Sequence, residues 1–352
     1  MLASSCVLFK INIDGSVMNI WLQFIFCAGL ILFSGSQLSR QGDLIAEKTG
    51  LGRNWIGLVL LATVTSLPEL ITGISAVALH ELPDMAVSGT LGSCMFNMIV
   101  IAGLDLLSKT APVSRMVHQG HIISAGFGII LLGLSAVDIL FGKHLPVLSW
   151  MNSIDPISLL FLAVYLLAMR VIYSYEQKRV QAFVGEFAEA TQASRQSLFH
   201  TILFFVLHSL VIVVAACYLP EIGEQIAKMT GWGESFIGTS FIAITTSLPE
   251  VTVSVAAARM GAFDMAVANL LGSNLFNVAI LAAIDFAYVK EPLLRNVLGL
   301  NALTALTAMI STAIVVIGLI YRSEKKISFL AADAIAILLV YITANVLLFV
   351  AH

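Results

Sequence analysis

Thr65-Ser66-Leu67-Pro68-Glu69 and Thr246-Ser247-Leu248-Pro249-Glu250 are the same five residues met twice in one chain. Each is followed by a second shared element, Gly92-Ser93-Cys94-Met95-Phe96-Asn97 in the first copy and Gly272-Ser273-Asn274-Leu275-Phe276-Asn277 in the second. The pentads are offset by 181 residues (Glu69 to Glu250) and the hexads by 180 (Asn97 to Asn277), so one residue is deleted between the motifs of the second copy. Each copy sets a proline and a carboxylate inside a long apolar stretch. In a bilayer, a helix-breaking proline frees backbone groups that have no water to bond, and a carboxylate is costly near the midplane. Two such expenses at matching positions mark the place to look for function.

The surrounding composition fixes the medium. Of 352 residues, 59% are hydrophobic and only 11% are charged, and the mean hydropathy is +0.97. That is far too apolar for a soluble domain of this size and reads as an integral membrane protein. A formal charge of −3 gives no basic surface for nucleic acid. Cys6, Cys27, Cys94 and Cys217 are scattered, without disulfide or metal-ligand spacing, and read as small packing residues. Residues 1–17 lack the basic start and small-residue cleavage site of a secretory leader.

A membrane-crossing helix needs roughly 20 apolar residues. That rule predicts an all-α, polytopic protein of ten spans, near 19–38, 53–78, 83–107, 119–140, 154–174, 197–218, 235–258, 263–287, 296–320 and 328–350. The first run is expected to continue as an amphipathic helix to Lys48 and to end at Gly50-Leu51-Gly52, as its counterpart ends at Gly231-Trp232-Gly233. Three segments follow: a first five-helix repeat over 1–174, a polar linker over 175–196 and a second five-helix repeat over 197–352. Five is odd, so the second repeat enters the membrane from the opposite side and the repeats are inverted. Inverted repeats place a shared site near the midplane, between broken helices. With both termini outside, thirteen of the 18 basic residues lie on the cytoplasmic side and five (Lys10, Lys143, Lys228, Lys290 and Arg295) on the other. The positive-inside rule selects this orientation, with the linker in the cytoplasm.

The motifs supply oxygen. Pro68 and Pro249 have no N–H and crowd the carbonyls of Val64 and Thr245, so a kink is expected at each. Freed carbonyls that face a polar cavity can ligate a cation. Thr65 and Thr246 stand four residues before Glu69 and Glu250, the spacing of one helix face. Ser93 with Asn97 and Ser273 with Asn277 have the same spacing in the following helices, while Gly92 and Gly272 allow close helix approach. Ligation by oxygen alone suits hard cations such as Ca²⁺ and Na⁺, and no His or Cys pairing argues for zinc or copper. If the two glutamates meet, both stay ionised only with a cation between them. One Ca²⁺, Na⁺ ions or protons would therefore compete for the same oxygens.

Other polar residues fit simpler roles. Taken alone, a membrane proline is a kink and a membrane Ser or Asn is packing glue; the duplication is what favours function here. Asp105 and Asp285 fit helix ends, Asp84 and Asp264 fit helix starts, and His208 fits a hydrogen-bonded packing residue. Glu81, Glu221 and Glu224 fall near interfaces and read as solvated.

At these motifs the chain resembles the calcium/cation antiporter superfamily, in particular the short prokaryotic sodium/calcium exchangers, over essentially its whole length. The resemblance implies that Glu69 and Glu250 are the central Ca²⁺ ligands. It implies that Thr65, Ser66, Thr246, Ser247, Ser93, Asn97, Ser273 and Asn277 complete Ca²⁺ and Na⁺ subsites, and that the backbone carbonyls of Ala62 and Ala243 contribute. It further implies that the first and sixth spans slide against the rest to alternate access. The chain departs from the family pattern in having Val64 and Thr245 where Gly is common before the pentad, Cys94 where Asn is usual, and Asn277 where some members carry Asp.

The expectation is an inner-membrane antiporter that exchanges Ca²⁺ for Na⁺, with these ions as substrates, the lipid bilayer as its partner and no cofactor. A Ca²⁺/H⁺ antiporter of the same fold is the first alternative and a cation channel the second. An intramembrane acid hydrolase is disfavoured, because the sequence supplies neither a substrate groove nor a third catalytic group.

Overall fold

The structure is a computed structural model that describes residues 17–49, 62–108, 111–144, 155–183, 198–327 and 329–351. Its helices are α1 (Val17–Thr49), α2 (Ala62–Thr65), α3 (Leu67–Leu79), α4 (Pro83–Leu104), α5 (Val113–Met116), α6 (His121–Phe141) and α7 (Pro156–Phe183). After the second polar segment come α8 (Leu198–Thr230), α9 (Glu234–Ile237), a π-helical turn (Gly238–Ile242), α10 (Ala243–Thr246), α11 (Leu248–Arg259), α12 (Phe263–Ala287), α13 (Leu300–Tyr321) and α14 (Ala332–Val350). Extended pairing among the described residues is limited to one bridge between Ile327 and Leu330.

Eight of these helices are long and apolar enough to cross a membrane, and the bent pair Glu234–Thr246 with Leu248–Arg259 makes a ninth span. The expected span over 53–78 is described only from Ala62 onward, and the Gly50-Leu51-Gly52 turn lies outside the described residues. Helix starts follow the sequence: Pro83 and Pro156 open α4 and α7, where a missing N–H costs no hydrogen bond. Helix α8 stops at Gly231, whose φ of +73° favours glycine. One segment is longer than expected. Helix α7 continues past Tyr175 to Phe183, into the stretch read as linker, because Glu176, Gln177, Lys178 and Arg179 are good helix formers. Helix α8 runs through Pro220 to Thr230 and so ends at the expected Gly231-Trp232-Gly233 turn.

Burial separates an inner layer from an outer one. In α4 and α12, 89% and 83% of the most apolar window is buried, against 22% in α7, α8 and α14, so α4 and α12 form the centre. The outer helices turn large apolar side chains outward, including Phe26, Phe33, Leu166, Phe199, Leu210 and Leu339, all at least half exposed. A belt of this kind is what lipid covers.

Hydrogen bonds between the halves establish the inversion. Asp84, at the start of α4, accepts Leu298 N–H at 2.7 Å and Asn301 Nδ2 at 2.8 Å, from the segment after α12. Asp264, at the start of α12, accepts His118 N–H at 2.7 Å and lies 2.9 Å from His121 Nε2, in the segment after α4. Each central helix therefore begins where the other ends, and the two run antiparallel. The far ends match as well. Asp105 accepts the N–H groups of Val113 (2.7 Å) and Ala331 (2.6 Å), and Asp285 accepts those of Leu293 and Asp155 (both 2.8 Å). The aspartates at helix starts and ends thus hold the halves together, beyond the local helix-end role that their positions suggest.

His208 packs edge-on against Phe33 of α1, with ring centroids 5.8 Å apart, as a packing residue would. Glu224 pairs with Lys228, and the exposed Glu81 pairs with Lys290. Cys27 and Cys94 are buried and Cys217 is half-buried, and none of the three is in a disulfide.

Candidate functional site

Both pentads break their helix. Between α2 and α3, and again between α10 and α11, one serine leaves the helical path: Ser66 has φ −89° and ψ 11°, Ser247 φ −86° and ψ 6°. The second break bends the span by 48°. Pro68 and Pro249 follow as the second residue of the new helix, where they need no N–H partner. Glu69 and Glu250 come next, in the first turn, where the positive end of the helix dipole favours a carboxylate. The sequence thus turns each span into two half-helices and sets an acid at the N-terminus of the second.

The two breaks meet against α4 and α12, and the pairing crosses between the halves. Ser247 donates to Glu69 Oε1 at 2.8 Å, and Ser93, from the first half, reaches the same oxygen at 3.2 Å. Ser66 donates to Glu250 Oε1 at 2.9 Å, and Ser273, from the second half, does so at 2.9 Å. The Ser66 and Ser273 hydroxyls lie 2.6 Å apart. Each glutamate is served by its own half's hexad serine and by the other half's pentad serine. Glu69 and Glu250 are 3% and 0% exposed and close enough to act on each other electrostatically. Each keeps one carboxylate oxygen, Oε2, that is buried and accepts no hydrogen bond.

The threonines do not follow the single-face expectation. Thr246 bonds back to the Ile242 carbonyl at 3.1 Å and lies 3.4 Å from Ser93, which itself reaches Glu69. Thr65 in turn faces Glu250. The spacing rule presumes an unbroken helix, and the breaks at Ser66 and Ser247 turn each threonine toward the other half's acid. The Ala243 carbonyl accepts Ser247 N–H at 3.0 Å and lies 3.4 Å from the Ser93 hydroxyl, at the cluster's edge. Ala62 heads α2 at the equivalent position.

Asn97 and Asn277 stand one turn further along the central helices, and both are fully buried. Asn97 donates its Nδ2 to Asn274 Oδ1 at 2.9 Å and keeps an unbonded Oδ1, while Asn277 Oδ1 is also unbonded. The Asn97–Asn274 contact escapes sequence reading, although the offset that pairs Asn274 with Cys94 marks the position.

Close packing makes this geometry possible. A Cβ at Gly92 would fall 2.7 Å from Thr239 Cα and 2.9 Å from Ala243 Cβ, so only glycine lets α4 lie against the second break. On the other side, a Cβ at Gly35 of α1 would sit 2.4 Å from Pro249 Cγ. The π-turn Gly238–Ile242, a local widening of the kind found at functional sites, delivers Ala243 to this contact and has no signal in the sequence.

Four buried carbonyl-type oxygens, those of Glu69, Glu250, Asn97 and Asn277, two of them on carboxylates, accept no hydrogen bond and are of the type that suits a hard cation. A family model described as sodium/calcium exchanger protein matches residues 19–174 and 200–350, nearly the whole chain. The chain belongs to the sodium/calcium exchanger family.

Its relatives in the family include inner membrane protein YrbG of Escherichia coli, 28% identical over 254 residues that cover 71% of this chain and 74% of that protein. Sodium/calcium exchanger MaX1 of Methanosarcina acetivorans is 24% identical over 287 residues, 74% of this chain and 81% of its own. Among solved structures, the H⁺/Ca²⁺ exchanger CAX shares the fold with a TM-score of 0.68 at 12% identity, over 99% of this chain and 91% of that one. Sodium/calcium exchanger family members are multi-pass membrane antiporters, with Ca²⁺ and either Na⁺ or H⁺ as transported ions. They are not enzymes, which removes the hydrolase reading.

Proposed function

We propose that the chain exchanges Ca²⁺ for Na⁺ by alternating access through one site at Glu69 and Glu250. The observation that carries this reading is the crossed pairing: two acids from inverted halves, each with a free buried oxygen, and each held by a serine from the other half. Two carboxylates in a low-dielectric cavity repel each other, and burying both without a counter-charge is unfavourable by several kcal/mol per ion, on the order given for buried charges. A site emptied of cation is therefore a poor state in which to cross the barrier between inward and outward access. A Ca²⁺ ion or a set of Na⁺ ions restores neutrality, and this couples the two fluxes.

In this reading Glu69 and Glu250 bind Ca²⁺ directly. Thr65, Ser66, Ser93, Thr246, Ser247 and Ser273, with the carbonyls of Ala62 and Ala243, complete the central oxygens, and Asn97 and Asn277 flank them. Residues 1–174 and 197–352 act as the two repeats, and α1 and α8, the outer pair, slide across the breaks. Both termini lie outside, the linker lies in the cytoplasm, and the chain resides in the cell's inner membrane, as the name of the E. coli relative supports. Na⁺ as counter-ion is supported by MaX1. H⁺ is the second reading, favoured by the likeness to an H⁺/Ca²⁺ exchanger and by the neutral side chain at Asn277.

Proteoliposome flux separates the readings. Ca²⁺ uptake driven by an outward Na⁺ gradient at equal pH is the expected result. Uptake that answers only to a pH gradient assigns H⁺ instead, and Ca²⁺ current that needs no counter-ion makes the protein a channel.

A further inference from the structure

The serines and glutamates match across the halves, but the layer behind them does not. Asn274 uses both ends of its amide: Oδ1 accepts Asn97 Nδ2 at 2.9 Å and Nδ2 donates to the Cys94 carbonyl at 3.1 Å. With its nitrogen held, Asn97 has one fixed orientation, and its Oδ1 is the end left unbonded. The residue equivalent to Asn274 in the first half is Cys94, a weak hydrogen-bonding group whose Sγ lies 3.8 Å from the Asn274 carbonyl. Asn277, the equivalent of Asn97, meets no oxygen or nitrogen partner with either Nδ2 or Oδ1, and the group that its amide faces is the weakly bonding Cys94 thiol. Cys94, Asn97, Asn274 and Asn277 are all at most 3% exposed, so the difference lies inside the protein.

A buried amide that only a thiol orients is a poorer ligand, because binding must fix its rotamer and leave its N–H groups weakly met. The two carboxylates charge-match one divalent ion at the centre. Singly charged ions must sit apart from one another and draw on the flanking neutral oxygens, which are Asn97 Oδ1 on one side and Asn277 Oδ1 on the other. We propose that Cys94 is a positioning residue: by offering the Asn277 amide only a thiol, where Asn97 has an amide partner, it makes that flank the weaker monovalent-cation subsite, and so sets how much Na⁺ the protein needs. The proposal rests on the Na⁺/Ca²⁺ reading above and concerns only the affinity for the counter-ion.

The test is Cys94→Asn, which gives Asn277 the partner that Asn97 already has. Two readouts are taken: half-saturating Na⁺ for Ca²⁺ release from proteoliposomes, and the Na⁺ concentration that half-maximally raises the melting temperature of the purified chain. Cys94→Asn is expected to lower both about fivefold, the equivalent of one neutral hydrogen bond, with half-saturating Ca²⁺ within about twofold of wild type. Cys94→Ala, which supplies no partner, is expected to leave both unchanged. Asn274→Ala, which releases Asn97, is expected to raise both about fivefold. The proposal is overturned if folded Cys94→Asn keeps the wild-type Na⁺ requirement, if Ca²⁺ affinity moves by the same factor, or if Cys94→Ala reproduces the shift. Should Cys94→Asn not fold, Asn274→Ala decides, and an unchanged Na⁺ requirement overturns the proposal. Wild-type flux that ignores Na⁺ refutes the Na⁺/Ca²⁺ reading instead. The melting titration then decides alone, and the absence of any Na⁺ response in wild type and both Asn variants overturns the proposal.

Discussion

The two halves agree at their ends and at their innermost oxygens, and differ in between. Asp84 and Asp264 clasp the opposite half through equivalent backbone groups, Leu298 and His118, and Ser66 and Ser247 reach equivalent acids across the middle. One step outward the likeness stops. Asn301 faces Asp84 where His121 faces Asp264, and Asn274 holds Asn97 through an amide where Cys94 offers Asn277 only a thiol. What stays matched is what the inverted architecture requires in order to close around one site. What has diverged is the amide layer behind the acids, Asn97 and Asn274 against Asn277 and Cys94, which under the proposal above adjusts how tightly each flank binds.

The matched parts should respond equally to mutation. Asp105→Ala and Asp285→Ala each remove a buried carboxylate that accepts two backbone N–H groups. Each should cost about 3–5 kcal/mol in the melting stability of the detergent-solubilised chain. Each has one further partner, the Ser158 hydroxyl at 2.8 Å for Asp285 and Lys326 Nζ at 4.0 Å for Asp105, so the two losses should be similar. A large loss at one position alone would break the symmetry argued here. Gly92→Ala should cost about 1–3 kcal/mol through overpacking against Thr239 and Ala243. Gly103→Ala, with no atom within 4 Å of its Cβ, should be neutral or stabilising by up to about 1 kcal/mol; equal costs for the two would show that the α4 contact is not tight. His121→Asn installs the residue that the other half uses against Asp84, and should move the melting free energy by less than about 0.5 kcal/mol. A larger loss would mean that the two clasps are not interchangeable.

Much of this was legible before the structure. Offsets of 180 and 181 identified which residues correspond, and the cost of acid and proline in an apolar stretch singled out the pentads, where the structure does break both helices. The i, i+4 spacing of Ser93 with Asn97 and of Ser273 with Asn277 grouped these side chains on one face, and the two serines do lie beside the acids. Correspondence does not say which half a side chain serves, so the crossing of Ser66 to Glu250 and of Ser247 to Glu69 could not be read. Thr65 and Thr246 were misplaced for a related reason: helical spacing fails across a break, and the break is the defining feature of the pentad. The π-turn at Gly238–Ile242 and the Asn97–Asn274 bond arise from packing between distant segments, which no local pattern encodes.

The central claim is that two inverted acids make one site. Equilibrium binding of radioactive Ca²⁺ to the purified chain, compared among wild type, Glu69→Gln and Glu250→Gln, tests it most directly. One Ca²⁺ per chain is expected, with affinity lost by about 100-fold or more in either variant, since each leaves the divalent ion facing a single carboxylate. Two independent Ca²⁺ sites, each removed by its own substitution, or wild-type affinity in either variant, would contradict it.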